Sequence, residues 1–237
     1  MLGIIFTGGE GPAAQDVRRL LDTEARGALF VAADSGLEAA EKAGVRPDWI
    51  IGDMDSLSDP SRLAGYPQDR VIRHKTSKDY TDTELASYLA SEKGCSEIWI
   101  IGGGGGRIDH IFGIRSLLER DVFPYRWISG NADIRCLDAG AKSGLSLEIA
   151  AGELVSVFPL GNGPWKATSC GLKWPLNDLI WNRGFFGLSN VALEGNFSIN
   201  AQTGRFMVIL QGLNISLCGA HAVVAADAAE DKNGKQT

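Results

Sequence analysis

Two aspartates one residue apart, Asp53 and Asp55, close the apolar run Ile50-Ile51-Gly52. Carboxylates delivered at the end of a buried strand can hold Mg²⁺, a hard cation that takes oxygen ligands and fills its shell with water and phosphate oxygens. Alternate residues of an extended chain share a face, so this spacing puts both carboxylates on one side if the strand geometry persists. The same pair can equally cap a turn. A second acidic stretch, Lys78-Asp79-Tyr80-Thr81-Asp82, precedes a helical pattern carrying Leu85 and Leu89, and Thr81 with Glu84 has capping-box spacing. Asp82 then falls in a first helical turn, where the helix dipole favours an acid with no ligand involved. Lys78 is unfavourable at that end and points to an anion or an ion pair. The third stretch is five consecutive glycines, 102–106, followed by Arg107-Ile108-Asp109-His110. Glycines between strand and helix let backbone N–H groups approach phosphate, and Arg107 can clasp one with paired bonds. The same run also reads as a flexible loop, and His110 as a helix-surface or core histidine. It matches neither a Walker A loop nor a Gly-x-Gly-x-x-Gly fingerprint. Asp34, in Ala33-Asp34-Ser35-Gly36, is either a helix N-cap or a further carboxylate facing the same crevice.

These loops need elements to position them. Apolar runs at residues 2–7, 28–33, 49–52, 71–74 and 97–101 predict strands, and helical spacing follows at Val17, Leu20 and Leu21, through the alanine-rich stretch to Ala43, after Asp82, and at Ile111, Ile114 and Leu118. Strands alternating with helices predict an open, mostly parallel sheet flanked by helices, with ligands beyond the C-terminal strand ends. Residues 57–68 read as a surface connection, and 125–129 and 134–137 as further strands. From about residue 139 helical spacing disappears. Short runs at 145–149, 154–159, 191–193, 197–199 and 205–210 alternate with turns, which predicts an antiparallel β-sandwich or barrel. The expected division is an α/β domain over 1–138, an all-β domain over 139–221 and a disordered tail over 222–237.

The chain has 237 residues, 44% of them hydrophobic and 22% charged, which is enough apolar material for real cores and excludes a mostly disordered chain. A net charge of −6 excludes a general nucleic-acid binder, which needs a basic face. Cys95, Cys136, Cys170 and Cys218 form no Cys-x-x-Cys pair, so neither a zinc nor a redox motif is indicated. With no leader pattern and no long apolar run, the expectation is a cytoplasmic protein without a membrane or nucleic-acid partner.

Taken in order, Gly52-Asp53-Met54-Asp55-Ser56, Lys78-Asp79-Tyr80-Thr81-Asp82 and Gly105-Gly106-Arg107-Ile108-Asp109-His110 resemble the loops of the thiamine pyrophosphokinase family. Ala33-Asp34-Ser35-Gly36 fits the same pattern with Ser35 at a family glycine. Gly171-Leu172-Lys173-Trp174 and Ser189-Asn190 are similar to elements of the family's second domain. The resemblance covers about residues 1–211. It implies transfer of a diphosphate group from ATP to the hydroxyethyl arm of thiamine, with Mg²⁺ as cofactor. It further implies Asp53, Asp55 and Asp82 as metal ligands and, with Arg107, as the catalytic set. Around ATP it implies Asp34, Lys78, Asp79, Thr81, Gly105, Gly106, Arg107, Asp109 and His110, with Asp109 either orienting Arg107 or holding a ligand group. Trp174, Ser189 and Asn190 would contact thiamine, with Trp181 a second candidate wall or a core residue. The implied assembly is a homodimer in which the β-domain of one chain faces the crevice of the other. Val191 and Ala192, following Asn190, depart from the family's stacking aromatic. A metal-dependent glycosyltransferase would explain Asp-x-Asp but leaves Lys78 and Arg107 without a role. A pterin pyrophosphokinase would share the α/β site only, and a nucleotide-binding regulator would bind ATP without turnover.

Overall fold

The structure is a computed structural model and describes residues 1–75, 79–130, 132–193 and 195–211. Lys78 and the expected tail 222–237 lie outside the described residues.

Strands β1 (Leu2–Phe6), β2 (Leu29–Ala33), β3 (Trp49–Gly52), β4 (Val71–Arg73), β5 (Glu97–Ile101) and β6 (Arg126–Ser129) pair in parallel in the order β6-β5-β1-β2-β3-β4. Their near-continuous hydrophobicity follows from burial on both faces. On one face, Val17 and Leu20 of helix α1 (Ala14–Glu24) and Ala40 of α2 (Gly36–Lys42) pack on Ile4, Phe6 and Ile101. On the other, Ala86 and Leu89 of α3 (Asp82–Glu92) and Ile114 of α4 (Ile108–Leu117) pack on Ile5, Val31 and Ile100. Successive β1 side chains thus feed opposite cores.

Strand β7 (Ala132–Asp138) returns antiparallel to β6, and β13 (Arg205–Gln211), β9 (Leu154–Leu160) and β11 (Gly187–Val191) continue the same sheet to ten strands. A second sheet, β10 (Lys166–Cys170), β12 (Asn196–Thr203) and β8 (Gly144–Glu148), covers this antiparallel wing. Leu145, Leu147, Phe197 and Ile199 of the small sheet meet Val155, Val157, Phe206 and Val208 of the large one. The fold is therefore an open, mostly parallel sheet flanked by helices together with an antiparallel sandwich, as the sequence predicts, with one sheet running through both.

Where the pairing direction reverses, between β6 and β7, charge is buried. Asp133 accepts from Arg126 Nη2 at 2.6 Å and from Arg135 Nε at 2.9 Å, and Arg126 Nη1 reaches Glu24 at 3.0 Å. Burial works against the charged form of Asp133. The two guanidinium groups overcome it and bring its pKa to about 2.

Three expectations about elements change. Residues 57–68 are more than a surface connection: they form 3-10 turns at Pro60–Gly65 and Gln68–Arg70, and Leu57, Leu63 and Tyr66 bury themselves with Leu37 and Met54. The strand expected at 191–193 is β11, which ends at Val191, and β10 was not anticipated. Among the described residues no helix is long and apolar enough to cross a membrane.

Candidate active site

β3 stops at Gly52, and the chain does not stay extended. Met54 takes φ +66° and buries its side chain in the small core beneath α2. That left-handed residue separates the two aspartates beside it. Asp55 is exposed, and its carboxylate accepts from the Ser56 hydroxyl at 3.0 Å. Asp53 turns the other way. Its carboxylate joins those of Asp34 and Asp82, with one oxygen of each lying within 4.8 Å of the others. The sequence groups Asp53, Asp55 and Asp82; the geometry brings together Asp34, Asp53 and Asp82, while the turn at Met54 leaves the Asp55 carboxylate on Ser56.

Asp34 ends β2 at φ +48°, and its N–H donates to the Ile51 carbonyl at 2.9 Å. Ser35 takes the N-cap position of α2, so Asp34 belongs to the crevice. Ser35 adopts an ordinary helical φ of −60°, so a serine fits there. Gly36 is the sterically required residue, since a Cβ would lie 2.0 Å from the Phe6 carbonyl oxygen. Asp34 is 8% exposed, and its Oδ1 is a buried oxygen with no hydrogen-bond partner. Burial raises its pKa, the charges of Asp82, Asp53 and Asp55 raise it further, and a hydrogen bond with Ser56 opposes them. Three crowded carboxylates with an orphaned oxygen are what a hard divalent cation would relieve, so these residues fit Mg²⁺.

Asp82 is placed by α3. Thr81 caps that helix by accepting from Glu84 N–H at 3.2 Å. The Glu84 carboxylate turns to Arg120 at 3.1 Å rather than back along the cap. Thr7 at the end of β1 and Thr83 share a buried hydroxyl hydrogen bond of 2.7 Å, tying the start of α3 to the centre of the sheet. Asp79 and Thr81 are exposed at the same rim.

The glycine run divides in two. Gly102 N–H goes to the Ile128 carbonyl at 2.9 Å, Gly103 N–H to Gly8 at 2.8 Å, and Gly104 exchanges backbone bonds with Glu10 at 2.8 and 2.7 Å. These three pack loops together and have no N–H to offer a phosphate. Gly105 is partly exposed and Gly106 fully so. The division gives a test by denaturation. A Cβ at Gly102 would lie 2.3 Å from the Thr7 carbonyl oxygen at φ +108°, whereas at Gly106, φ +49°, it meets nothing within 4 Å. Gly102→Ala is expected to destabilise by more than ~3 kcal/mol and Gly106→Ala by ~1 kcal/mol. Equal effects would contradict the division.

Arg107 is the N-cap residue of α4 and pairs with Asp109 through Nη2–Oδ2 at 2.6 Å and Nε–Oδ1 at 3.2 Å. The hydrogen bonds from Arg107 hold the Asp109 carboxyl below the usual range. Asp109 thus orients Arg107 here. His110 lies exposed on α4, outside any core.

Sequence reasoning missed one loop. The sheet changes winding direction between β1 and β5, and a crevice forms at such a point. Residues Gly8, Gly9, Gly11 and Pro12, which follow β1, line a cavity there. The glycine–proline cluster after an apolar strand was the available signal.

The second set of predicted contacts sits on the sandwich. Trp174 is 54% exposed, and Lys173 Nζ lies 4.7 Å from its ring centroid. Ser189 is exposed at φ +55°. Asn190 is buried: its Oδ1 accepts from Trp174 N–H at 3.1 Å and its Nδ2 donates to the Trp174 carbonyl at 2.6 Å. Asn190, expected to contact substrate, clamps the Trp174 backbone in this structure. Trp181 is core, edge-on to Phe185 and Phe206.

Residues 22–124 match the family model described as thiamin pyrophosphokinase, catalytic domain. A thiamine pyrophosphokinase of Bacillus subtilis is 29% identical over 161 residues, 63% of this chain and 71% of that protein. The fold is that of solved thiamin pyrophosphokinases. The Bacillus subtilis structure aligns at TM-score 0.70 with 24% identity over 90% of this chain and 99% of that one. The yeast enzyme aligns at 0.60 with 17% identity over 91% and 87%. The α/β half that carries the three carboxylates is thus the part of this chain that is similar to the thiamin pyrophosphokinase catalytic domain.

Proposed function

We propose that this protein transfers the diphosphate group of ATP to the hydroxyethyl oxygen of thiamine, giving thiamine diphosphate and AMP. The observation that carries the reading is the convergence of Asp34, Asp53 and Asp82 inside the segment matched by the catalytic-domain family model. In this reaction the thiamine oxygen bonds to the β-phosphorus, the bond from that phosphorus to the bridging oxygen breaks, and the oxygen leaves on AMP. Such a transfer depends on alignment and on offsetting phosphate charge. Asp34, Asp53 and Asp82 would hold Mg²⁺, which when bound supplies positive charge at the transferring phosphate oxygens. Arg107, presented by Asp109 at the start of α4, adds a fixed cation beside Gly105 and Gly106. Asp79, Thr81 and His110 stand exposed around the same strand ends and complete the ATP side.

Thiamine is read as binding between two subunits. β11, which carries Ser189, lies eight strand positions from β3 in the large sheet, roughly 38 Å along it. One chain therefore holds its sandwich contacts far from its own acidic cluster, and a second copy would bring the two together. Ile180, Phe186, Leu188 and Leu193 are 79%, 51%, 62% and 49% exposed on or beside β11. A partner surface would cover such residues. The cell compartment in this reading is the cytoplasm.

The test mixes the protein with ATP, Mg²⁺ and thiamine and follows AMP. The expected result is AMP release that needs thiamine, from a particle of twice the chain mass. AMP no higher than in the thiamine-free control would sink the reading, and AMP with a pterin alcohol but not thiamine would reassign the acceptor.

A further inference from the structure

At the opposite end of the parallel strands from the carboxylates, where β5 begins and α1 ends beside the first residues of β8, the described residues enclose a cavity of about 310 Å³. β5 runs from Glu97, in this lining, to Ile101 at the strand-end crevice, so roughly 13 Å of strand separates the two. Trp99, Tyr125 and Leu145 give the cavity an aromatic and aliphatic wall. Its charged lining residues are Glu24, Glu97, Arg135 and Lys142. Glu97 and Lys142 are committed to each other and to the wall. Lys142 Nζ lies 2.8 Å from Glu97 Oε2 and 3.8 Å from the Tyr125 ring centroid, and Trp99 Nε1 donates to Glu97 Oε1 at 2.7 Å. Arg135 and Glu24 are only half engaged. Arg135 donates from Nε and Nη2 to Asp133, both at 2.9 Å, while its Nη1 bonds to no described residue. Glu24 accepts from Arg126 Nη1 on Oε2 at 3.0 Å, and its Oε1 is likewise unused among the described residues. The Tyr125 hydroxyl also has no partner among them, and burial pushes its pKa up to about 12, so it stays a donor. Neither Arg135 Nη1 nor that hydroxyl is sealed in, yet Arg135 is 2% and Tyr125 6% exposed, so the space these donors meet is the cavity. A lone anion there would face Glu24 and Glu97, and a lone cation would face Arg135 and Lys142. The complement is a molecule of no net charge that carries both signs. Arg135 Nη1 and the Tyr125 hydroxyl suit a carboxylate, Glu24 Oε1 suits an ammonium, and the wall suits an apolar arm.

We infer that this cavity binds a small zwitterion with an apolar side chain, an α-amino acid by chemical class, with its carboxylate on Arg135 and Tyr125 and its ammonium on Glu24. The inference goes beyond diphosphate transfer and does not depend on it, since the cavity shares no lining residue with the crevice or the acidic cluster. Asp133 already fixes the direction of the Arg135 guanidinium, so that group meets a ligand without reorganising.

The test is equilibrium binding to the full chain of three probes that share a ring and differ in charge: L-phenylalanine, 3-phenylpropionate, which lacks the ammonium, and phenethylamine, which lacks the carboxylate. L-phenylalanine is expected to bind saturably, and each of the others at least about tenfold more weakly. Tyr125→Phe removes one donor at nearly constant shape and is expected to weaken L-phenylalanine about fivefold while leaving phenethylamine within about twofold. Ser146→Trp, which fills the cavity from β8, is expected to abolish binding. Saturating ATP with Mg²⁺ should leave L-phenylalanine binding unchanged, because the crevice lies at the other end of β5. No saturable binding of L-phenylalanine, equal binding of either single-charge probe, displacement by ATP, or unaltered binding in both variants overturns the inference. Should Ser146→Trp lose its folded circular dichroism, Tyr125→Phe decides, since it deletes only a hydroxyl that bonds to no described residue. AMP release in Tyr125→Phe is expected to equal that of the parent, so failure of this site leaves the diphosphate-transfer reading standing.

Discussion

Asp53→Asn is expected to cut the rate of AMP formation at least ~100-fold at saturating ATP and thiamine, because it removes one of the three grouped carboxylates proposed to hold the cation that offsets phosphate charge. Asp34→Asn should cost as much. Asp55→Asn should cost less than ~10-fold, since that carboxylate is exposed and bound to Ser56. The ordering separates the observed cluster from the Asp-x-Asp pair that the sequence suggests. Stability provides the control. Asp34 carries a raised pKa, meaning its charged form is disfavoured in the folded state, so neutralising it should leave the fold at least as stable at neutral pH. Loss of activity in Asp34→Asn would then report the site and not unfolding. The measurement is steady-state AMP release with Mg²⁺ titrated in each variant. Near-normal turnover in Asp53→Asn, or a larger loss in Asp55→Asn than in Asp34→Asn, would reject the assignment.

The second large effect concerns stability. Asp133→Asn should destabilise by roughly 3–5 kcal/mol, because it leaves Arg126 and Arg135 buried against a neutral partner. Burial alone would raise the pKa of Asp133, yet the two arginines bring it to about 2, below the ordinary value of 3.8. A depressed folded pKa contributes stability that is present above the unfolded value and is lost as pH falls through the folded one. The parent protein should therefore lose this contribution between about pH 4 and pH 2, and the variant should not show that component. Urea denaturation at pH 7 and across the acid range checks both. A loss under ~1 kcal/mol at pH 7 would show that the network is not sustained by the charge of Asp133.

Local signals in the sequence were reliable where local physics decides. The apolar run 49–52 is β3 at those bounds, and the Thr81 cap forms with Glu84 as its spacing predicts. What could not be read was set by long-range contacts. Met54 turns left-handed because its side chain is drawn into a core made by Leu37, Leu57, Leu63 and Tyr66, and that turn sends Asp55 outward. Asp34 reads equally as a helix cap or a crevice carboxylate until β2 and β3 are known to be neighbours, placing its N–H on Ile51. Glycines 102–104 look like part of a phosphate loop until Ile128, Gly8 and Glu10 are known to take their N–H groups. β10, with the sequence Lys-Ala-Thr-Ser-Cys, buries only Ala167 and offers almost no apolar alternation. That the Asn190 amide holds the Trp174 backbone could not be read either.

The unbroken ten-stranded sheet bears on how this molecule can move. Enzymes whose lobes are joined by a linker can swing shut on a substrate, because few bonds cross the hinge. Here the boundary between parallel and antiparallel wings is a strand ladder, Arg126–Ser129 against Ala132–Asp138, with Asp133 and two arginines sealed into it. A swing at that line would sever backbone hydrogen bonds and pull apart buried charges. The ladder therefore resists a swing of one wing against the other, and motions that admit or release ligands fall to the loops at its strand ends.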